Sequence, residues 1–275
     1  MQDTGKFRVK IIDKFYTRPA VANHCISLIK SSIPSTNDLQ WIEPAAGSGA
    51  FLQGLDDVIA LDLEPASDRV TAADFLTWSP PVPSGRLLFY GNPPFGRQGS
   101  LAKAFIQRAC SFEGTEAVAF ILPRSFQKPS MSRAFPLRFH CLVSEELDPC
   151  SFEVNGSPYA VPCVFQMWVR RAVDRALEVV EEPAGFSYVK QEVVHHLVIR
   201  RVGVNAGVSS VKGEPKSVQS HYFVCLDPGF EVHGSAVASA LSAHAFPSNT
   251  TGPRSLSKGE VTTVLNSLLL ALTGA

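Results

Sequence analysis

Five near-continuous apolar runs, at 39–42, 58–61, 87–91, 117–122 and 164–169, constrain what this chain can fold into more than any other feature. Runs of this length and apolarity are buried strands. A shorter run at 141–143 adds another. Between them, apolar residues recur at helical spacing, as in Val21, Cys25, Leu28 and Ile29, and again in Leu101, Ala104, Phe105 and Ala109. Strands alternating with helical segments predict an α/β fold, a sheet built through crossover connections with helices on both faces. The basic, proline-bearing stretch 124–138 is expected to be partly loop.

In sheets of this kind ligands bind at the C-terminal ends of the strands, and the residues that follow the runs fit that rule. The first run leads into Glu43-Pro44-Ala45-Ala46-Gly47-Ser48-Gly49-Ala50-Phe51, where Gly47 and Gly49 permit a tight turn and the close approach of a ligand. A short helix at about 51–55 is expected next. The second run ends at Asp62, placed to accept hydrogen bonds from both hydroxyls of a ribose. Only about a dozen residues separate Gly49 from Asp62, fewer than the roughly 20 that follow a dinucleotide fingerprint, which argues against NAD. Further on, Asp74 is a candidate acceptor for an adenine amino group and Phe75 a candidate flank for its ring; an acid capping a turn is the structural alternative.

The third run delivers Asn92-Pro93-Pro94-Phe95. The prolines stiffen the turn, so Asn92 Oδ1 and the Pro93 carbonyl form two aimed acceptors. Acceptors that take both hydrogens of an exocyclic amine localise its lone pair and make it a better nucleophile. Phe95 offers a face for a stacked base, worth roughly 1–3 kcal/mol. The bland alternative is a proline-rich turn after a strand. Upstream, Thr17 and Pro19 open a predicted helix, and a hydroxyl with free N–H groups there suits a carboxylate; a plain helix cap is the other reading. Phe152 and Tyr159 lie in a turn-rich antiparallel connection and are candidates to face the pocket opposite Phe95, or to pack beneath their loop.

Composition narrows the field. The chain has 275 residues and is 45% hydrophobic, enough for a real core. No apolar stretch reaches membrane-spanning length and the N-terminus lacks a secretion signal, so the expected address is the cytosol, or a nucleus. The six cysteines show neither Cys-x-x-Cys pairs nor histidines at ligand spacing, so neither a metal site nor a disulfide framework is expected. Twenty-five basic and 25 acidic residues cancel, which counts against holding nucleic acid by bulk attraction and points to a local basic surface or a protein partner. Beyond Arg170 and Arg171 the composition changes to short β-prone runs separated by glycines, then two predicted helices at 232–244 and 260–272, the second with a Ser257/Glu260 capping box. Two regions are therefore expected, 1–172 and 173–275. Arg200, Arg201, Lys212 and Lys216 of the second could line a phosphate track, though acids match them and a solvated surface is the simpler reading.

In its order, Phe15-Tyr16-Thr17, the glycine loop with Glu43, Asp62, Asp74-Phe75-Leu76 and Asn92-Pro93-Pro94-Phe95, the chain resembles the S-adenosylmethionine-dependent adenine-N6 methyltransferases of the gamma class over about residues 7–171. The resemblance implies a Rossmann-like class I methyltransferase sheet and S-adenosylmethionine as cofactor. It implies that Thr17 and the loop near Gly47 hold the methionine part, Asp62 the ribose and Asp74 and Phe75 the adenine, with Glu43, Ala45 and Gly49 also cofactor-binding, and that Asn92, Pro93 and Phe95, with Pro94 as the remaining catalytic residue of the turn, hold the target amine and its base. Arg18 stands where a threonine usually precedes the proline, and the C-terminal region is smaller than most target-recognition domains. The motif order puts DNA adenine first as substrate. RNA adenine comes second, since Phe95-Gly96 also resembles ribosomal-RNA and cap-adjacent methyltransferases; a protein glutamine amide, and an inactive binding module, follow.

Overall fold

The computed structural model describes residues 16–36, 38–81, 85–154, 157–177, 181–211, 213, 216–250 and 253–272; Phe15 and Lys212, singled out above, lie outside them. The chain divides into two compact units, Met1–Leu177 and Glu178–Ala275. The division falls a few residues beyond the expected 172.

The first unit runs β1 (Tyr16–Thr17), α1 (Pro19–Ser32), β2 (Gln40–Glu43), β3 (Val58–Asp62), β4 (Thr71–Ala72), β5 (Leu87–Gly91), α2 (Ser100–Ser111), β6 (Thr115–Pro123), α3 (Pro129–Ser132), β7 (Phe139–Glu146), β8 (Phe152–Val154), β9 (Ser157–Tyr159) and β10 (Cys163–Arg170). Seven strands form one sheet in the order β4-β3-β2-β5-β6-β10-β7. The pairs from β4 to β6 are parallel, and β10 runs antiparallel to both β6 and β7. Only β10 therefore opposes the rest. After β2 the chain builds outward through β3 and β4, then returns to place β5 on the other side of β2. The C-terminal ends of β2 and β5 thus form a topological switch point.

Burial explains why the strand runs are apolar at successive positions. Leu88 and Tyr90 of β5 pack with Cys25 and Ile29 of α1 on one face, whereas Leu87 and Phe89 pack with Ala102, Phe105 and Ile106 of α2 on the other. Side chains alternate across a strand, so a sheet covered on both faces needs apolar residues at both parities.

Two local expectations change. The helix expected at 51–55 is a single 3-10 turn, Ala50–Leu52. Gly49 and Gly54 bracket it at positive φ (82° and 70°), and the Arg69 guanidinium bonds the carbonyls of Leu52 (3.2 Å) and Leu55 (2.8 Å) that a longer helix would use. Thr17 does not cap α1: Arg18 holds the cap position without a side-chain bond, Pro19 fills the first turn, and Thr17 is a buried strand residue paired with Phe152. The stretch after β6 is largely irregular, with a 3-10 turn at Arg124–Gln127 and the one-turn α3.

The second unit has its own core. Strands β11 (Phe186–Val189), β12 (Leu197–Arg200), β13 (Ser209–Val211) and β14 (His221–Leu226) form an antiparallel sheet ordered β11-β14-β12-β13. Val237 and Leu241 of α4 (Gly234–Ala243) and Val261, Leu265 and Leu269 of α5 (Lys258–Leu272) pack with Leu197, Ile199, Val224 and Leu226. The capping box forms: Ser257 N–H donates to Glu260 Oε2 (2.8 Å) and Glu260 N–H to Ser257 Oγ (3.2 Å). Among the described residues no helix is long and apolar enough to cross a membrane.

Candidate functional site

A cavity of about 340 Å³ opens at the switch point, lined by residues that follow β2, β3, β4 and β5. It brings together Thr17, Glu43, Ala45, Gly47, Asp62, Asp74, Phe75, Asn92, Pro93, Pro94 and Phe95. The sheet does this: parallel strands end on one edge, so residues from Thr17 to Phe95, far apart in sequence, meet at a single rim. Gly49, Phe152 and Tyr159 do not line it. Gly49 serves as the left-handed hinge before the 3-10 turn. Phe152 is fully buried in the core on the α1 face, and Tyr159 is 45% exposed on the β8–β9 hairpin.

The glycine loop is wired to the acid at the end of β3. Asp62 Oδ2 accepts from Gly47 N–H (2.8 Å) and Oδ1 from Glu64 N–H (2.8 Å), while Ala46 N–H donates to the Leu61 carbonyl (2.8 Å). Each carboxylate oxygen has two acceptor positions, so Asp62 fixes the loop and keeps a lone pair on each oxygen for a ligand diol. Gly47 has φ +52°, and a Cβ there would lie 3.3 Å from Tyr16 Cε1; the loop backbone passes close against the Tyr16 ring. Asp74 is tied down in the same way, Oδ1 accepting from Leu76 N–H (2.9 Å). The Phe75 ring belongs to an aromatic cluster with Phe89 (5.6 Å) and Phe105 (5.1 Å), so it forms the cavity floor from within the core rather than standing free as a flank.

Glu43 is the most unusual group. It is 1% exposed, its Oε2 has no hydrogen-bond partner among the described residues, and burial first, then the Asp62 charge, push its pKa up to about 8. A Cβ on Gly91 (φ +121°) would lie 3.0 Å from Glu43 Cγ, so only glycine lets β5 pass the buried acid. Beneath it Tyr90 donates to the Phe51 carbonyl (3.2 Å) and packs edge-on against Trp41 and Phe51.

The turn 92–95 follows β5 directly. Pro93 is buried, while Asn92, Pro94 and Phe95 are half-buried along the cavity wall. The Phe95 carbonyl accepts from the N–H groups of Leu101 (3.2 Å) and Ala102 (3.3 Å), two donors at the open end of α2. That places the turn between a strand and a helix and fixes its direction.

Electrostatics then limit the ligand. Four carboxyl groups, Glu43, Asp62, Glu64 and Asp74, line the cavity with no Lys, Arg or His among its lining residues. A site of that sign repels phosphate and favours a cationic or neutral ligand. Sequence reasoning did not single out Tyr16, Leu63, Glu64, Leu101 or Phe105 as site residues. Glu64, two residues after Asp62 at the same strand end, was the signal available.

No family model matches the sequence, and no curated protein does. Among solved structures the chain is similar to the 23S rRNA methyltransferase ErmE, with 18% identity and a TM-score of 0.44 over 58% of this chain and 71% of that one. It is similar to a putative RNA methyltransferase from Pyrococcus horikoshii, with 14% identity and a TM-score of 0.45 over 60% and 90% of the two chains. A third is the Thermoplasma acidophilum protein 1320, with 18% identity and a TM-score of 0.40 over 57% and 88%.

Proposed function

We propose that this chain is an S-adenosylmethionine-dependent methyltransferase that modifies the exocyclic amino group of an unpaired adenine, in RNA ahead of DNA. The observation that carries it is one acid-lined cavity shared by the glycine loop, Asp62 at the end of β3 and the Asn92–Phe95 turn. The residues suit the cofactor by charge and by hydrogen-bonding capacity. Asp62 has lone pairs for a ribose, Asp74 keeps a second oxygen for an amino group, and the partnerless Glu43 Oε2 is matched by an ammonium group. When bound, the cofactor supplies a methyl group on a cationic sulfur. The protein's part is to hold the amine. Asn92 Oδ1 and the Pro93 carbonyl accept hydrogen bonds from its two N–H groups, the lone pair localises on nitrogen, proximity supplies much of the rate, and the surplus proton of the methylated nitrogen leaves to solvent. Phe95 stacks the base.

RNA takes precedence over DNA on physical grounds. A chain with no net charge has little to set against the cost of gripping a duplex and rotating a base out of it. RNA presents unstacked bases in loops and ends, where that cost is already met. The test is Asn92→Ala. Calorimetric titration should show S-adenosylmethionine binding retained, while transfer from labelled cofactor falls at least about a hundredfold, as when one preorganised polar partner is removed from a reacting centre. Loss of both together would assign Asn92 to the fold. Parallel assays on RNA and DNA oligomers read the substrate class directly.

A further inference from the structure

We infer that the rim beside the Asn92–Phe95 turn, through Arg97, Lys103 and Arg133, is the surface that grips the phosphates of a single-stranded RNA whose base enters the cavity. This rests on the proposed function and deepens it.

An acid-lined cavity cannot hold a polyanion by its own field, so the backbone of a nucleic-acid substrate must be held outside it. Charge in the chain as a whole is balanced, yet residues 96–112 and 117–144 contain no Asp or Glu and carry Arg97, Lys103, Arg108, Arg124, Lys128, Arg133 and Arg138. The first stretch and the end of β6 lie beside the turn; the second stretch then passes through α3 toward the start of β7 at the opposite edge of the sheet. Residues 96–112 follow the turn directly. The other runs along β6, which parallels β5 with Gly91 opposite Phe120 and so emerges on the same edge as Asn92. The two loops are in contact there: a Cβ on Gly99 would lie 3.1 Å from Phe126 Cε2 and 3.4 Å from Met131 Cε.

Several of these cations are already committed. Arg124 pairs with Glu146 (3.1 Å), Arg138 with Asp174 (3.0 Å), and Arg108 donates to the Trp78 carbonyl and covers the Phe112 ring. The acids near this edge are committed too, Glu145 to His24 (2.6 Å) and Glu153 to Arg18 (3.4 Å). Arg97, Lys103 and Arg133 have neither an ion pair nor a side-chain hydrogen bond among the described residues, and both arginines are exposed.

They are nevertheless held on fixed backbone. Arg97 lies between Gly96 (φ +65°) and Gln98, the one described non-glycine residue at positive φ (54°), in a loop pinned by the Phe95 carbonyl. The backbone around Arg133 is clamped by the Arg175 guanidinium, which bonds the carbonyls of Ser132 (2.8 Å), Phe135 (3.0 Å) and Pro136 (2.9 Å). Exposed guanidinium groups on rigid loops lose little freedom on meeting a phosphate, and such preorganisation is what a binding surface gains from.

The experiment compares the full chain with Arg97→Glu/Arg133→Glu and with Arg97→Lys/Arg133→Lys. Binding of a fluorescent uridine-rich RNA carrying one adenosine is read by anisotropy, and transfer from labelled S-adenosylmethionine is followed in parallel. The charge reversal should weaken RNA binding at least tenfold and lower the slope of log K against log [salt] by about 1.4, since each contact with a single strand contributes about 0.7. The lysine variant should retain most of the binding, and S-adenosylmethionine titration should be unchanged in both. Wild-type affinity and slope in the reversed variant overturn the inference, as does preferential retention of duplex DNA. If no variant, wild type included, transfers methyl groups, the proposed activity fails, and the anisotropy still decides the rim by itself.

Discussion

Glu43 carries a consequence for stability because it is an acid held where an acid should not be charged. With its pKa at about 8 in the folded chain and near 4.5 when exposed, the folded state binds more protons than the unfolded state between those values. Stability therefore declines as pH rises across that window, the reverse of the usual behaviour of a paired carboxylate. Glu43→Gln keeps the shape and removes the titration. The expected result is a cofactor-free protein whose melting temperature is flatter between about pH 4.5 and 8 and higher at the alkaline end, where the free energy of unfolding gains on the order of a few kcal/mol. An unchanged profile would mean that Glu43 ionises freely where it stands. At this scale the sequence was informative where position relative to a strand decides the role. Asp62 and Asn92 each follow a run, and a strand end on a parallel sheet has one edge to occupy; the short strand that brings Asp74 to the same edge, Thr71–Ala72, left no apolar run to read. It was not informative where the role depends on a distant partner. Phe152 reads as a candidate pocket wall, but its pairing with Thr17 turns it into the core, and nothing local to 150–159 encodes that pairing. The raised pKa of Glu43 likewise comes from β5 packing against β2, contributed by Gly91.

Among the elements, the turn between β5 and α2 has the narrowest tolerance. Gly96 has φ +65° and ψ 179°, a region open to glycine almost alone, and a Cβ there would lie 2.8 Å from Leu101 Cγ and 3.0 Å from the Leu101 nitrogen. Gly96→Ala must move either the turn or the start of α2, breaking the bonds from Leu101 and Ala102 to the Phe95 carbonyl. The strained backbone should cost about 1–3 kcal/mol. Methyl transfer should fall much further than stability, with cofactor binding held, because the cofactor residues lie on other strands. Equal loss of transfer and cofactor binding would show that the turn does not act independently of the glycine loop. Strand runs and α2 were legible because their apolar periodicity is set by burial. The missing helix after Gly49 was not, because Arg69, well downstream, takes its carbonyls. The positive φ of Gln98 is invisible to any rule that looks for glycine.

For the molecule as a whole, alternation of strands and helices predicted an α/β sheet, but the order of its strands depends on which neighbour each return chooses, and that choice creates the switch point. Net charge sums to zero over the chain but does not tell how folding distributes it: four carboxyl groups meet in one cavity, and among the described residues Arg97, Lys103 and Arg133 have no ion pair. Every residue that lines the cavity, both core layers around the sheet and the clamp from Arg175 belong to the first unit, and the second unit keeps a separate core. A unit with a complete core can fold alone. A chain ending at Leu177 should therefore bind S-adenosylmethionine with the affinity of the full protein, as read by calorimetry, and melt in one cooperative step. A folded chain of that length, verified by circular dichroism, that no longer binds the cofactor would show that the second unit is needed for the site to form.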